Sequence, residues 1–294
     1  IILKILNSLK QEFNLDNLCL AGGVALNCVA NGLIQREKIF KNIWIQPAAG
    51  DAGGSIGSAL AMWYMYLNKR RVLNKNDKMN GSYLGPSYNL ASIKSDLKKS
   101  GAHFKILEKR KMLRTVAKMI SQGKAIGWFQ GKMEFGPRAL GCRSILADPR
   151  NKLMQKQLNL KIKFRESFRP FAPSILEEQS KNWFNLDCKS PYMLFVSDVK
   201  KNKLVKVKSS SNTLSKINQI RSVVPSITHV DNSARIQTVS KNSNPIFYEL
   251  INEFYKLTQT PILINTSFNI RGEPIVCSPQ DAFKCFMGTN LDVL

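Results

Sequence analysis

Residues 17–69 read NLCLAGG (17–23), VALNCVANGLIQ (24–35), NIWIQPAAGDAGG (42–54) and SIGSALAMWYMYLNK (55–69). Each apolar run is short enough for a strand, ends on glycines and is followed by apolar residues at helical spacing, so the segment spells strand, Gly turn, helix, twice over. Successive units of this kind make α/β architecture. Gly22 and Gly23 stand after the first strand and before the helix, where backbone N–H groups and a helix N-terminus can hold a phosphate or the polar edge of a nucleotide. A tight turn without a ligand would also select glycine. The second unit repeats the arrangement with Asp51 on its turn, and two such turns can face one another across a cleft. Asp51 can ligate a metal or cap the following helix, and capping is the commoner use.

Working outward, IILKILNSLKQEF (1–13) places Ile1, Ile2, Ile5, Leu6 and Leu9 at the spacing of an amphipathic helix. No apolar run reaches the roughly eighteen residues of a membrane span, and no secretory signal is evident. The chain does not begin with Met and ends on LDVL (291–294), which reads as a core strand cut short, so a fragment is expected. KRRVLNKNDKMNGS (69–82) has no apolar period and is the expected linker between a first unit at 1–68 and a second at 83–294. Beyond it, helical patterns such as KMLRTVAKMISQG (111–123) and PIFYELINEFYKL (245–257) alternate with strand-like runs. The runs are AHFKILE (102–108), KAIGWFQ (124–130), YMLFVSDV (192–199) and TPILINTS (260–267), a mixed α+β pattern. SSSNTLSKINQIRS (209–222) reads as a flexible loop.

Composition narrows the classes. At 294 residues and 44% hydrophobic, the chain can bury one large core or two smaller ones. Its six cysteines lie far apart, with no CxxC pair and only two histidines, which argues against a zinc cluster or a disulfide framework and favours a reducing cytoplasm. The net charge of +24 comes largely from lysines on surface-like segments such as EKRK (108–111) and KNKLVKVK (201–208), without interleaved aromatics. Nucleic-acid binding is therefore not expected.

The chemistry-bearing residues of the second unit lie in short motifs. GWFQGKMEFGPRALGCRSILADPR (127–150) packs Lys132, Glu134, Arg138, Arg143, Asp148 and Arg150 among glycines, a proline and aromatics. The planar fork of arginine matches phosphate and carboxylate oxygens in pairs, and Lys132 adds a mobile point charge, which together suit a poly-anionic ligand. KIKFRESFRPFAP (161–173) adds Lys161, Lys163, Arg165, Glu166 and Arg169, with Glu166 expected to orient an arginine. TPILINTSFNIRGEPIV (260–276) is a buried-type strand ending in the polar turn of Asn265, Thr266, Ser267 and Asn269, which suits either a ligand pocket or a plain Asx turn. VPSITHVDNSARIQTV (224–239) carries His229, Asp231 and Arg235, with His229 on a strand and more often structural than catalytic in such a place.

Taken in order, GGVALNCVANG, GDAGGSIGSA, FGPRALGCRSILADPR, KFRESFRPFAP, THVDNSARIQTV and NTSFNIRGEPIV resemble the NodU/CmcH-type O-carbamoyltransferases over nearly the whole chain. The resemblance implies part of an actin-like ATPase lobe followed by a YrdC-like α+β domain. It implies that carbamoyl phosphate and ATP, with Mg2+, make carbamoyl-adenylate, and that the carbamoyl group passes to a hydroxyl of a small-molecule acceptor. By motif, Lys132, Arg138, Arg143, Arg165, Arg169, Asn265, Ser267 and Asn269 resemble the YrdC-like site. Gly22, Gly23, Asn27 and Gly53 would face the adenylate in the other lobe. Asp51 resembles a ligand of a divalent metal such as Fe2+, but the family's companion HxxxH-like histidines are absent from this sequence. The alternatives are a threonylcarbamoyl-adenylate or tRNA-modifying enzyme and a non-catalytic nucleotide- or nucleic-acid-binding module.

Overall fold

In a computed structural model, which describes residues 1–73, 77–207 and 219–294, the N-terminal segment folds as α1 (Ile2–Phe13), β1 (Asn17–Leu20), α2 (Cys28–Glu37), β2 (Asn42–Ile45) and α3 (Gly53–Ala61). β1 and β2 run parallel, with Asn17 opposite Asn42 and Leu20 opposite Ile45. Leu6, Leu18, Ile34 and Phe40 form their small core. Of the apolar positions on α1 only Leu6 is buried. The order read from the sequence holds, with one local difference. Gly22, at φ 92, turns the chain away from direct helix entry, a 3-10 turn (Gly23–Leu26) intervenes, and α2 starts at Cys28. Asn27 caps α2, its Oδ1 accepting from Ala30 N at 3.1 Å.

The rest of the chain adds α4 (Leu90–Lys99), α5 (Lys109–Ser121), β3 (Ile126–Phe129), β4 (Arg143–Ala147), α6 (Met154–Lys161), β5 (Ala172–Leu176) and α7 (Ser180–Trp183). It continues with β6 (Phe195–Asp198), β7 (Ser233–Val239), α8 (Pro245–Thr258), β8 (Ile262–Ser267) and α9 (Pro279–Met287). Six of these strands make one mixed sheet in the order β3-β4-β8-β5-β7-β6, with β5 and β7 the parallel pair. The apolar run of β8 reflects its central place, with Ile262, Leu263 and Ile264 fully buried. On one face α5 and α8 pack through Leu113, Val116, Ile120, Phe247, Leu250 and Phe254. Burial of each such side chain is worth about 1.5–3 kcal/mol. Met154, Leu158, Phe171, Trp183 and Phe184 fill a core that includes the buried Ile145, Ile175 and Ile264 of the sheet.

Several local expectations change. AHFKILE is irregular rather than a strand, and Phe104, Ile106 and Leu107 are exposed, because the outer edge of β3 is taken by the far end of the chain: Val293 bridges Ile126 in parallel. His229 sits on a turn before β7, its backbone N–H donating to Ser233 O at 2.8 Å. Residues 209–218 of the expected flexible loop lie outside the described residues, as do 74–76 of the expected linker. The end of that linker packs against the second unit, with Met79 and Ser82 buried and Phe135 N donating to Ser82 O at 2.7 Å. Among the described residues no helix is long and apolar enough to cross a membrane.

The two units meet through a shared core of Ala25, Ile45 and Ala49 against Leu140, Ala172 and Leu194. The buried Asn31 amide donates to Ala25 O at 2.8 Å and to Leu194 O at 3.1 Å, tying α2 to the segment before β6. At the same contact a Cβ on Gly32 would stand 2.2 Å from Val196 O, so the helix and strand touch backbone to backbone. Gly32→Ala should therefore wedge the units apart and lower stability by about 1–3 kcal/mol. Urea denaturation would measure that loss, with faster proteolytic cleavage between the units as its companion.

Candidate functional site

Glu134 organises the loop that joins β3 to β4. Only 6% exposed, it accepts backbone N–H bonds through one oxygen from Leu140 at 2.6 Å, Cys142 at 2.8 Å and Arg143 at 3.4 Å. Burial raises its pKa and those N–H groups pull it back. The loop is also held from outside: Gln237 Nε2 and Tyr83 Oη each donate to Leu140 O at 2.9 Å, and Asn265 Nδ2 donates to Ala139 O at 3.1 Å. From this frame Arg138 reaches the first unit and donates to Leu26 O at 3.2 Å. Burial, then the neighbouring Arg235 charge, pushes the Arg138 guanidinium down to about 10, so it stays charged at neutral pH.

Lys163 belongs to the KIKFRESFRPFAP cluster read from the sequence but not to the residues that the resemblance assigns to the site. It is 5% exposed, and its Nζ reaches Ser267 O at 2.7 Å, Asn269 Oδ1 at 2.7 Å, Asn269 O at 2.9 Å and Ser267 Oγ at 3.2 Å. One ammonium thus ties the KIKFR segment to the end of β8. Ser267 Oγ also donates to Asn269 Oδ1 at 2.7 Å, closing the cluster. Among the described residues Lys163 has no carboxylate partner. Burial, with the charge of Arg165 added, pushes its pKa down to about 7.

Around this cluster lie two cavities that share Arg165 and Arg169. One, of about 200 Å³, is bounded by Lys163, Ser267, Asn269 and Arg271; the other, of about 260 Å³, lies between the units against Cys28, His229, Arg235 and Asn265. Arg165 Nε donates to Asn159 Oδ1 at 2.6 Å and its guanidinium stacks 4.9 Å from the Phe171 ring. Its pKa is lowered by burial and then by Arg169, with Arg235 adding less. Glu166 pairs with Arg169 at 3.3 Å, as expected of it, and is the only carboxylate in an ion pair with this group of cations among the described residues. Burial keeps His229 below its usual pKa, hence neutral at pH 7. A wider crevice of about 620 Å³ around Phe40 and Cys188 is bordered instead by the exposed Lys38, Lys41 and Lys189.

The other expected site residues stand apart. Arg143 is fully buried and donates to the carbonyls of Gln130 at 3.0 Å, Cys142 at 3.0 Å, Pro86 at 3.2 Å and Gly131 at 3.3 Å, so it acts as a post for its own loop rather than facing a ligand. Arg150 is likewise occupied, clamped on Asp148 at 2.6 Å. Lys132 is exposed on the same loop and has no ion-pair partner among the described residues. Asn27 serves as a helix cap, and Gly53 is required by packing, since a Cβ there would lie 2.2 Å from Ala48 O. Around Gly22 and Gly23 the space is open. Asp51 is exposed and does not cap α3; no group of three or more His, Cys, Asp or Glu able to hold a metal occurs among the described residues, so a metal at Asp51 does not fit the side chains present.

Residues 117–294 match the family model described as carbamoyltransferase C-terminus, and residues 1–60 match carbamoyltransferase N-terminus. An uncharacterized protein of Synechocystis sp. is 54% identical over 299 residues, which cover 100% of this chain and 49% of that protein. Nodulation protein NolO of Bradyrhizobium diazoefficiens is 39% identical, with 100% of this chain and 50% of that protein covered. Nodulation protein NolNO of Sinorhizobium fredii is 41% identical, with 100% and 41% covered. The chain spans about half the length of the curated relatives it matches. Among solved structures, HypF in its phosphate- and nucleotide-bound form shares 17% identity at a TM-score of 0.38, over 60% of this chain and 20% of that one.

The lowered Lys163 pKa makes a signed prediction. Between about pH 7 and the ordinary lysine value the unfolded chain holds a proton that the folded chain has released, so stability contributed at this site rises with pH across that window. An anion bound beside Lys163 reverses the shift by favouring the charged form. Titration with pyrophosphate at pH 8, in two buffers of different ionisation enthalpy, should show uptake of a substantial fraction of a proton, and Lys163→Met should abolish it.

Proposed function

Since the chain belongs to the carbamoyltransferase family, we propose that its cation-lined cavities make carbamoyl-adenylate from carbamoyl phosphate and ATP, and that the carbamoyl group then goes to a hydroxyl of a small-molecule acceptor. The observation that carries this reading is the surplus of positive charge: Arg138, Arg165, Arg169, Arg235 and Lys163 depress or crowd one another with a single ion-paired carboxylate, Glu166, among them. Cations held together without counter-charge are costly, and the cost is offset when a phosphate-bearing ligand arrives.

In the proposed sequence the arginines hold the phosphate of carbamoyl phosphate while water releases it as inorganic phosphate, leaving carbamate. A carbamate oxygen attacks the α-phosphate of ATP, pyrophosphate departs, and carbamoyl-adenylate remains. Lys163 steadies Ser267 and Asn269 beside the reacting phosphates, and the exposed Lys132 is left free to meet the triphosphate. Magnesium enters as the counter-ion of ATP. In the final step the acceptor oxygen attacks the carbamoyl carbon and AMP leaves.

The test is pyrophosphate release by the purified chain. It should require carbamoyl phosphate, and Arg169→Ala should slow it by about 10- to 100-fold while leaving the melting temperature nearly unchanged, because Arg169 is exposed and, among the described residues, ion-paired only to Glu166. Release that is indifferent to carbamoyl phosphate, or to Arg169, would rule the reading out.

A further inference from the structure

Asn265 ends the apolar run of β8, is 1% exposed and lines the cavity between the units. Its Nδ2 is committed inward, to Ala139 O at 3.1 Å, Ser174 Oγ at 3.0 Å and Gln237 Oε1 at 2.9 Å. The amide cannot be reversed, because a backbone carbonyl only accepts. Nor can Gln237 turn to compensate, since its own Nε2 donates to Leu140 O at 2.9 Å. Two carbonyls of the Arg138 loop thus set the orientation of both amides. The consequence falls on Asn265 Oδ1, a buried acceptor with no partner among the described residues. A buried polar atom in that state marks a place where a ligand donor is missing.

The surroundings say which donor. Arg165, Arg169 and Arg235 border the same cavity and supply donors for anionic oxygens, so a fully ionised phosphate group, which has no proton to give, would leave Oδ1 unsatisfied. A cavity of about 260 Å³ suits a small anion better than a whole nucleoside triphosphate. A carbamoyl compound bearing a phosphate offers both parts, anionic oxygens for the arginines and an amino group for the lone acceptor. Resting on the function proposed above, we propose that Asn265 Oδ1 accepts a hydrogen bond from the carbamoyl amino group, which makes Asn265 the residue that separates a carbamoyl group from an acyl group of the same shape. An acetyl group in that position places a methyl against the buried oxygen and leaves it unpaired, and a site built for a hydrogen bond rejects such an analogue.

Two stable probes differ at this one group: phosphonoacetamide carries an amino group where phosphonoacetone carries a methyl. Calorimetric titration of the purified chain should show the amide bound about ten-fold tighter, and Asn265→Leu should bring the two within about two-fold. Ser174→Ala removes a partner of Nδ2 but leaves Oδ1 in place, and it should keep the preference. That control separates reading of the amino group from mere loosening of the strand end. If the melting curve shows that Asn265→Leu does not fold, Asn265→Val, smaller and with no acceptor at position 265, replaces it with the same expected loss. Equal binding of both probes by the unaltered chain, or a preference that survives at position 265, overturns the proposal. Binding of neither probe overturns it as well. Pyrophosphate release with carbamoyl phosphate then shows whether the broader function stands, since activity preserves that reading and silence removes both.

Discussion

One carboxylate oxygen, on Glu134, gathers three backbone N–H groups and so gives the loop between β3 and β4 a fixed shape. Most other features of the site lean on that shape. Gly136 and Gly141 both take positive φ; a Cβ on the first would press on Pro47 O of the N-terminal unit, and one on the second would strike the Phe247 ring at 2.2 Å. Pinned between the two, the loop brings Arg138 to Leu26, Ala139 O to Asn265 and Leu140 O to Gln237. A buried carboxylate without an ion-pair partner among the described residues is tolerable here because the N–H groups it accepts from replace the water it lost.

A second constraint works in the opposite sense. Lys163 and Arg165, near the end of β8, have no ion-paired carboxylate among the described residues, and burial costs both of them part of their charge stability. Lys163 shows the compromise best: four oxygens surround its Nζ, yet none belongs to a carboxylate. Such an arrangement favours an anionic guest over an internal salt bridge, which would close the site to ligands. The fold supplies the rest of the framework through the central position of β8, whose apolar half is locked in the sheet while its polar half opens toward both cavities.

Much of this was legible in the amino-acid order. The strand–glycine–helix rhythm of residues 17–61, the helices at 109–121 and 245–258, and the strand at 262–267 follow from local periodicity, and local periodicity is a property of neighbouring residues. The density of arginines inside Gly- and Pro-bounded motifs likewise pointed to an anionic ligand. AHFKILE misled because its apolar residues had strand character but no free edge to join, the edge of β3 being held by residues some 165 positions away.

Which charges serve the cavity and which serve the fold is a matter of distance across the chain, and the sequence is silent on that. Arg138 and Arg143 lie five residues apart in one motif, yet one reaches the neighbouring unit and the other is buried on four carbonyls of its own surroundings. Lys163 could not be told from a surface lysine until Ser267 and Asn269, more than a hundred residues later, were seen to enclose it. Asn265 needed the carbonyls of Ala139 and Leu140 to orient it and Gln237 before its oxygen was left over. Local order therefore determined the elements and the kind of chemistry, because both depend on near neighbours and residue type. Tertiary structure alone decided the role of each charge and amide, because burial and hydrogen-bond partners are set by residues far away in sequence.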